Sequence, residues 1–462
     1  MSSTDLMKYF YTDQDTTSIP INVVLKSEFS NWKKTQSENI NNWIETAQFK
    51  PKPCEVLSIP NANGALEMVL VIADTEGIIW SLGACPKKLP PGKYHIVSSL
   101  KNNDQIYIGW ALGAYQFDKY KKTKPRQCQL HIENSLDINQ LTALTKAVAI
   151  VRDMVNTPAS DMMPQHISEV CKNVTHEFAS EISEYIGEEL LTENYPVIHA
   201  VGRASIHKPR LIKFSWGDPG HPTVSLIGKG VSFDSGGLDI KSAQGMRLMK
   251  KDMGGAAHAI GIASAIMKLN LPVHLQVLIP AVENAISENA FRPGDILTSR
   301  SGKTIEIDNT DAEGRLILCD AITRATEDNP DLLIDFATLT GAARVALGTE
   351  VPAFFANDIS VAADLMQASH VVDDPIWQLP LHQSYRYMLD SSIADICNSA
   401  ASGYGGAITA ALYLKEFIPI ETKWIHFDVM AYNIRARAGR PKGGEAMGLR
   451  AVIEFLQQRY SK

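Results

Sequence analysis

The stretch Glu306–Leu316 places four acids, Glu306, Asp308, Asp311 and Glu313, and the arginine Arg315 against the apolar run Leu316-Ile317-Leu318. Charge beside a core segment is costly unless it is paired or holds a metal ion. If the chain is extended where this stretch begins, Asp311, Glu313 and Arg315 project to one side, and two carboxylates and a guanidinium meet at one spot. The same D-x-E-x-R spacing also suits a strand end carrying a surface ion pair, so by itself it leaves both readings open. A second stretch lies upstream: Gly228-Lys229-Gly230-Val231-Ser232-Phe233-Asp234, then Gly236-Gly237-Leu238-Asp239-Ile240-Lys241, then Met249-Lys250-Lys251-Asp252-Met253-Gly254-Gly255. It sets further acids and lysines among glycines. Lys229 between glycines would also fit a phosphate site or a surface, but no G-x-x-x-x-G-K-[ST] loop is present, and Ser232 and Ser235 do not restore one. The paired glycines permit close backbone approach or simply turns.

Together the two stretches resemble the leucine aminopeptidase family, the di-metal cytosol aminopeptidases. The family's octapeptide signature, Asn-Thr-Asp-Ala-Glu-Gly-Arg-Leu, stands here in full as Asn309–Leu316. Val155-Asn156-Thr157-Pro158, Ala337-Thr338-Leu339-Thr340-Gly341-Ala342 and Gly405-Gly406-Ala407-Ile408-Thr409-Ala410-Ala411 extend the resemblance over roughly residues 150 to 460. It implies a leucyl aminopeptidase, a metallo-exopeptidase that hydrolyses the N-terminal peptide bond and releases apolar residues such as leucine. It further implies two divalent metal ions per subunit, Zn or Mn. In the family the residues matching Asp234 and Glu313 bridge both ions, the one matching Asp311 serves the looser site, and those matching Asp252 and Lys229 complete the tighter site.

Two ions about 3.5 to 4 Å apart polarise a carbonyl and activate water near neutral pH. Ligation by Lys229 requires the neutral amine, which a nearby dication and partial burial favour. Lys241 matches the lysine that keeps its charge and stabilises the oxyanion. Arg315 matches the arginine that holds bicarbonate, the general base, so the site needs no histidine. Met249 matches a pocket-lining methionine, and Thr338, Leu339 and Gly341 match residues that line the pocket and bind the peptide, whose free amine sits on a metal. If the octapeptide stood alone, the plainer pairings, Lys241 with Asp239 on the surface and Arg315 with Glu313, would each be favoured. Ala407 stands where many relatives carry serine or threonine, which alters the far wall of the pocket, and the N-terminal region shows no alignable motif. Family members are usually cytoplasmic homohexamers, two trimers whose sites face an inner cavity.

Other plans are excluded or ranked lower. Neither H-E-x-x-H nor G-x-S-x-G occurs. His426-Phe427-Asp428, following Trp424, reads as a buried strand and stays outside the site. Another two-metal hydrolase, such as a phosphoesterase, uses the same acids, and some bacterial family members have a DNA-binding or scaffold role. A net charge of -7 argues against nucleic acid or an anionic membrane as the main partner.

A chain of 462 residues, 45% apolar, suits two or more domains. Its six scattered cysteines form no metal or disulfide spacing and fit a reducing compartment. Met1–Lys8 lacks a basic head followed by an apolar core, and no run is long enough to span a membrane.

To position the acids, the sequence offers a small α/β domain over residues 1–140. In it Ile21–Leu25 and Met68–Ile72 read as strands, Glu38–Ala47 as a helix, and His95 as a surface histidine. The charged Asp118–Arg126 reads as a solvated linker, with the domain boundary shortly after it. The periodic Leu144, Val148, Val151 and Val155 begin residues 141–462 with a helix closed by Pro158. There, strand-like runs at 211–214, 224–227, 273–279 and 332–336 alternate with helix-like runs at 255–268 and 314–327. Such alternation predicts an α/β catalytic domain on a mostly parallel sheet with helices on both faces. Its active site belongs at the carboxyl ends of the strands.

Overall fold

The β-branched runs form strands and the alanine- and glycine-rich runs between them form helices. In the computed structural model these sort into two units, Met1–Ala149 with Ile434–Lys442 and Ile150–Asn433 with Gly443–Lys462. The structure describes residues 5–13, 17–98, 100, 104–133 and 135–461. Met1–Thr4, the start of the segment read above for a signal, lies outside the described residues. The division falls at Ala149, beyond the break expected after residue 140, and it lies inside one continuous helix, Ile138–Asn156. Leu141, Leu144, Val148, Val151 and Val155 are all buried, so the apolar stripe holds that helix along its whole length. The helix stops ahead of Pro158, as expected, because the residue before a proline is driven out of the helical region.

In the first unit the strands Phe10–Tyr11, Cys128–His131, Gly92–Val97, Ile19–Leu25, Leu66–Ala73 and Val56–Pro60 lie in that spatial order. Helix Glu38–Thr46 covers part of this sheet through Ile44, which packs with Val24, Ile59 and Leu70. Asp118–Arg126 joins no units. It is an exposed loop leading into the strand Cys128–His131, tethered by Gln116, which donates to Thr123 Oγ1 at 2.9 Å and accepts from Arg126 N at 3.1 Å. His95 Nδ1 lies 2.9 Å from Ser18 Oγ.

The second unit is built on β1 (Thr223–Gly228), β2 (Gly230–Asp234), α1 (Gly254–Leu269), β3 (His274–Asn284), α2 (Glu313–Thr326), β4 (Leu332–Ala337), α3 (Gly341–Leu347) and β5 (Trp424–Asp428). Strands β5, β4, β1 and β3 lie side by side in parallel, and β2 joins the end of β3, also in parallel. Antiparallel strands flank them, Ala353–Ala356 on β5 and Arg210–Trp216 on β3. Helix α1 stacks His258 on Phe336 of β4, with ring centroids 5.2 Å apart. Helix α2 packs Leu316 and Ile317 into one core with Leu333 of β4 and Ile227 of β1. Leu333 and Phe336 are an odd number of residues apart on one strand, so they point to opposite faces and the two helices cover both sides of the sheet.

One expectation is corrected. Asp311–Arg315 is not extended, because α2 already begins at Glu313. A carboxylate in the first turn suits the positive end of the helix dipole. Helical geometry also turns Arg315, two places on, away from Glu313.

Candidate active site

Every strand that supplies the site does so at its carboxyl end. Lys229 follows β1, Asp234 ends β2, Asn284 ends β3, Thr338 follows β4 and Asp428 ends β5. The two parallel pairings on β1, with β4 and with β3, bring the first, third and fourth of these together. Asp252 comes from the turn before α1, and Glu313 from the first residue of α2. All eleven residues singled out above line one cavity of about 590 Å³: Lys229, Asp234, Lys241, Met249, Asp252, Asp311, Glu313, Arg315, Thr338, Leu339 and Gly341.

The acids and lysines interlock. Lys229 Nζ donates to Asp252 Oδ2 at 2.6 Å and to the Thr338 carbonyl at 3.1 Å, and it sits 3.0 Å from Glu313 Oε1. Lys241 Nζ pairs with Asp234 Oδ2 at 2.8 Å and also with Asp311 Oδ1. Its ion pairs among the described residues are with these two site carboxylates, not with Asp239 as the surface alternative had it. Burial alone would lower both lysines, but the surrounding carboxylates outweigh it and hold both ammonium groups above their ordinary range. Among carboxylates alone Lys229 is therefore charged, and only an added cation would bring it to the neutral amine expected of a ligand.

The carboxylates respond unequally. Burial, reinforced by Asp234, pushes Glu313 up to about 8 and Asp311 up to about 6. Burial also works against ionisation of Asp252, but Lys229 and Lys251 hold its carboxyl below the usual range. One oxygen each from Asp234, Asp252 and Glu313 lie within 4.8 Å of one another. Glu313 Oε2 is buried with no hydrogen-bond partner among the described residues. A buried acceptor left this way costs about 1–3 kcal/mol, and a cation shared by the three acids would satisfy it. The donor set, hard oxygens with one amine, suits a divalent ion of the Mn or Zn kind.

Arg315 is buried, donates through Nη1 to the Asn398 carbonyl at 2.8 Å, and lies over the Tyr413 ring at 5.9 Å. Its Nε is buried without a partner among the described residues, and the side chain forms part of the cavity wall.

Several functional side chains escaped the sequence reading because no motif marks them. Thr338, expected to line the pocket and bind the peptide, also fixes Asp252, donating from Oγ1 to Oδ1 at 2.8 Å. Asn284 donates to Asp234 Oδ1 at 2.9 Å and to the Thr310 carbonyl at 3.1 Å. Asp239 Oδ2 accepts from Thr310 N at 2.7 Å, tying the Gly236–Lys241 loop to the octapeptide. Asp428 accepts from the backbone of Leu339 and Thr340 and so sets the loop before α3. His426 faces Asp335 at 2.6 Å inside the sheet and stays out of the site, as read above.

Comparison with known proteins agrees with this geometry. The catalytic-domain model of the cytosol aminopeptidase family matches residues 149–453, and the M17 aminopeptidase N-terminal domain model matches residues 19–133. A probable cytosol aminopeptidase of Geobacter sp. (strain M21) is 39% identical over 383 residues, covering 79% of this chain and 77% of that protein. The crystal structure of a cytosol aminopeptidase from Coxiella burnetii is 44% identical, with a TM-score of 0.94 over 98% of this chain and 100% of that one. The bottromycin maturation enzyme BotP, solved in complex with Mn, is 29% identical, with a TM-score of 0.86 over 96% of this chain and 100% of that one. With both domain models matched in order and the octapeptide's acids gathered at the strand ends, the chain belongs to the M17 cytosol aminopeptidase family, a family of peptide-bond hydrolases.

Proposed function

We propose that this protein is a metal-dependent exopeptidase that removes single residues, apolar ones such as leucine, from the free N-terminus of peptides in the cytoplasm. The observation that carries the reading is the convergence of four carboxylates with Lys229 and Lys241 in one cavity, with one Glu313 oxygen left without a partner. Asp234, Asp252, Asp311, Glu313 and the Lys229 amine would hold two divalent ions, Zn or Mn, and the manganese complex of BotP supports the second. Such a pair polarises a carbonyl and makes water nucleophilic near neutral pH.

The chain's own residues do the rest. Lys241, held by Asp234 and Asp311, keeps its proton and places a fixed positive charge where the scissile carbonyl becomes an oxyanion. Arg315, in the wall of the same cavity as the acids, would hold bicarbonate, which would supply a general base. Met249, Leu339 and Gly341 wall the space for the first side chain, and Asp428 keeps the Leu339–Thr340 backbone in place against a bound peptide. Assembly into hexamers belongs to the same reading. The exposed Val345, Tyr404 and Ile420 are apolar surface suited to burial against other copies.

The test uses Leu-Gly-Gly and its N-acetyl derivative with metal-loaded enzyme. Leucine should leave the free peptide first and the acetylated one should resist. Activity should vanish on chelation and return with Zn or Mn while the circular dichroism spectrum stays unchanged. Cleavage of both peptides at similar rates, or turnover of an aryl phosphate in place of a leucyl anilide, would overturn the assignment.

A further inference from the structure

Lys251 takes no part in the chemistry above, yet it stands in the wall of the same cavity. It ends the turn Met249–Lys251, and its side chain is only 2% exposed. Met249, Thr338, Gly341 and Arg344 line the cavity with it. Its Nζ makes one ion-pair contact, with Asp252 Oδ1 at 3.7 Å, too long for a hydrogen bond.

The carboxylates around it are already engaged. Asp252 accepts from Lys229 at 2.6 Å and from Thr338 Oγ1 at 2.8 Å. Asp428 uses both oxygens on the backbone of Leu339 and Thr340 and on Thr340 Oγ1. Among the described residues no acceptor hydrogen-bonds the Lys251 ammonium. Arg344, from α3, adds a second cation to the wall and spends Nη1 on the Thr340 carbonyl at 2.9 Å. An ammonium in the cavity wall whose nearest carboxylate lies beyond hydrogen-bond distance matches an anion brought by the substrate.

We infer that Lys251 is a specificity residue that admits peptides whose first residue is acidic, its ammonium meeting the side-chain carboxylate of glutamate or aspartate while the methylenes lie along Met249. This rests on the aminopeptidase reading and widens its substrate class. Apolar first residues still find Met249 and Leu339, but an acidic one gains a charged partner that its amide analogue lacks.

The experiment compares kcat/KM for the 4-nitroanilides of glutamate, glutamine and leucine, using metal-loaded wild-type enzyme and the Lys251→Met and Lys251→Gln variants. Glutamate and glutamine share a shape and differ in charge, so their ratio isolates the ion pair. Wild type should favour glutamate over glutamine by roughly 30-fold, the smaller end of what a buried charge pair loses when one partner is removed. In either variant the ratio should fall to about one or below. Glutamine cleaved as well as glutamate by the wild type, with leucine released normally, overturns this inference alone and requires no variant to fold. A glutamate preference that persists in both variants overturns it too. No release from any of the three overturns the aminopeptidase reading, and this inference with it.

Discussion

Gly314 gives the sharpest test of how the site is held. A Cβ built on it would lie 2.5 Å from Lys229 Cε and 2.8 Å from Lys229 Nζ. Carbon atoms in good contact are about 3.5–4.0 Å apart, so in Gly314→Ala the lysine must retreat by roughly 1 Å. Its Nζ now spans 2.6 Å to Asp252, 3.0 Å to Glu313 and 3.1 Å to the Thr338 carbonyl. A shift of that size takes at least the two longer contacts out of hydrogen-bond range. Helix stability changes in the opposite sense, since alanine is favoured over glycine inside a helix by about 1 kcal/mol, which offsets much of the crowding. We therefore expect Gly314→Ala to fold with a Tm within a few degrees of wild type and to bind less metal by mass spectrometry. Its kcat/KM on leucyl anilide should fall by about 100-fold, the usual result of a 1 Å misplacement at a reacting centre. Full metal content and full activity in a folded Gly314→Ala enzyme would refute the claim that Lys229 is held in place by the absence of that side chain.

Two further predictions concern groups outside the acid cluster. Asp239→Ala, which no motif implicates, removes the acceptor that holds Thr310 N at 2.7 Å and Thr310 Oγ1 at 3.1 Å beside Asp311. We expect about a tenfold loss of kcat/KM, equivalent to roughly 1.4 kcal/mol, and an unchanged rate would show that Asn284 alone fixes this turn. His258 is buried, with Nδ1 2.7 Å from the Gly254 carbonyl and Nε2 accepting from Met447 N at 2.9 Å. That arrangement requires the neutral ring protonated on Nδ1, and burial lowers its pKa to about 4. Below the unfolded value of about 6.5 the unfolded chain binds the proton first, so stability is full above that pH and is lost as the pH falls toward 4, by up to about 3 kcal/mol. Urea unfolding of wild type and His258→Gln across this range should give a flatter profile for the variant, and parallel profiles would remove His258 as the cause.

The catalytic unit was legible because its signals are local. Val224–Ile227, Val273–Ile279 and Leu332–Phe336 are largely apolar runs of the kind a parallel sheet covered on both faces carries, and the octapeptide travels as one block. The positions of Lys229, Asp252 and Thr338 relative to that block were not written locally. They follow from strand order, which places β1 between β4 and β3 although all three are distant in sequence. The same applies to Asn284 and Asp428, ordinary polar residues whose importance comes from ending neighbouring strands. Alternation patterns lost the start of α2, since in Asp311–Arg315 a period of two and the first turn of a helix look alike over so few residues. The Asp118–Arg126 stretch is charged and carries a proline, as linkers do, yet the strand Cys128–His131 beyond it belongs to the first sheet.

The charge pattern explains how such a site survives inside a core. Four carboxylates in one cavity would repel strongly at low dielectric, but Lys229 and Lys241 each pair with two of them. Thr338 and Asn284 hold Asp252 and Asp234 by neutral hydrogen bonds that cost no further charge. Most of the electrostatic cost is thus met within the fold by these pairs. Glu313 keeps one oxygen without a partner among the described residues, and burial reinforced by Asp234 pushes its carboxyl up to about 8. A dication held by Asp234, Asp252 and Glu313 would relieve that acid and would compete with the Lys229 ammonium for the same oxygens. In the proposed metal site, metal affinity and the protonation of Lys229 would therefore be linked, since a neutral Lys229 would offer a lone pair and no repelling charge.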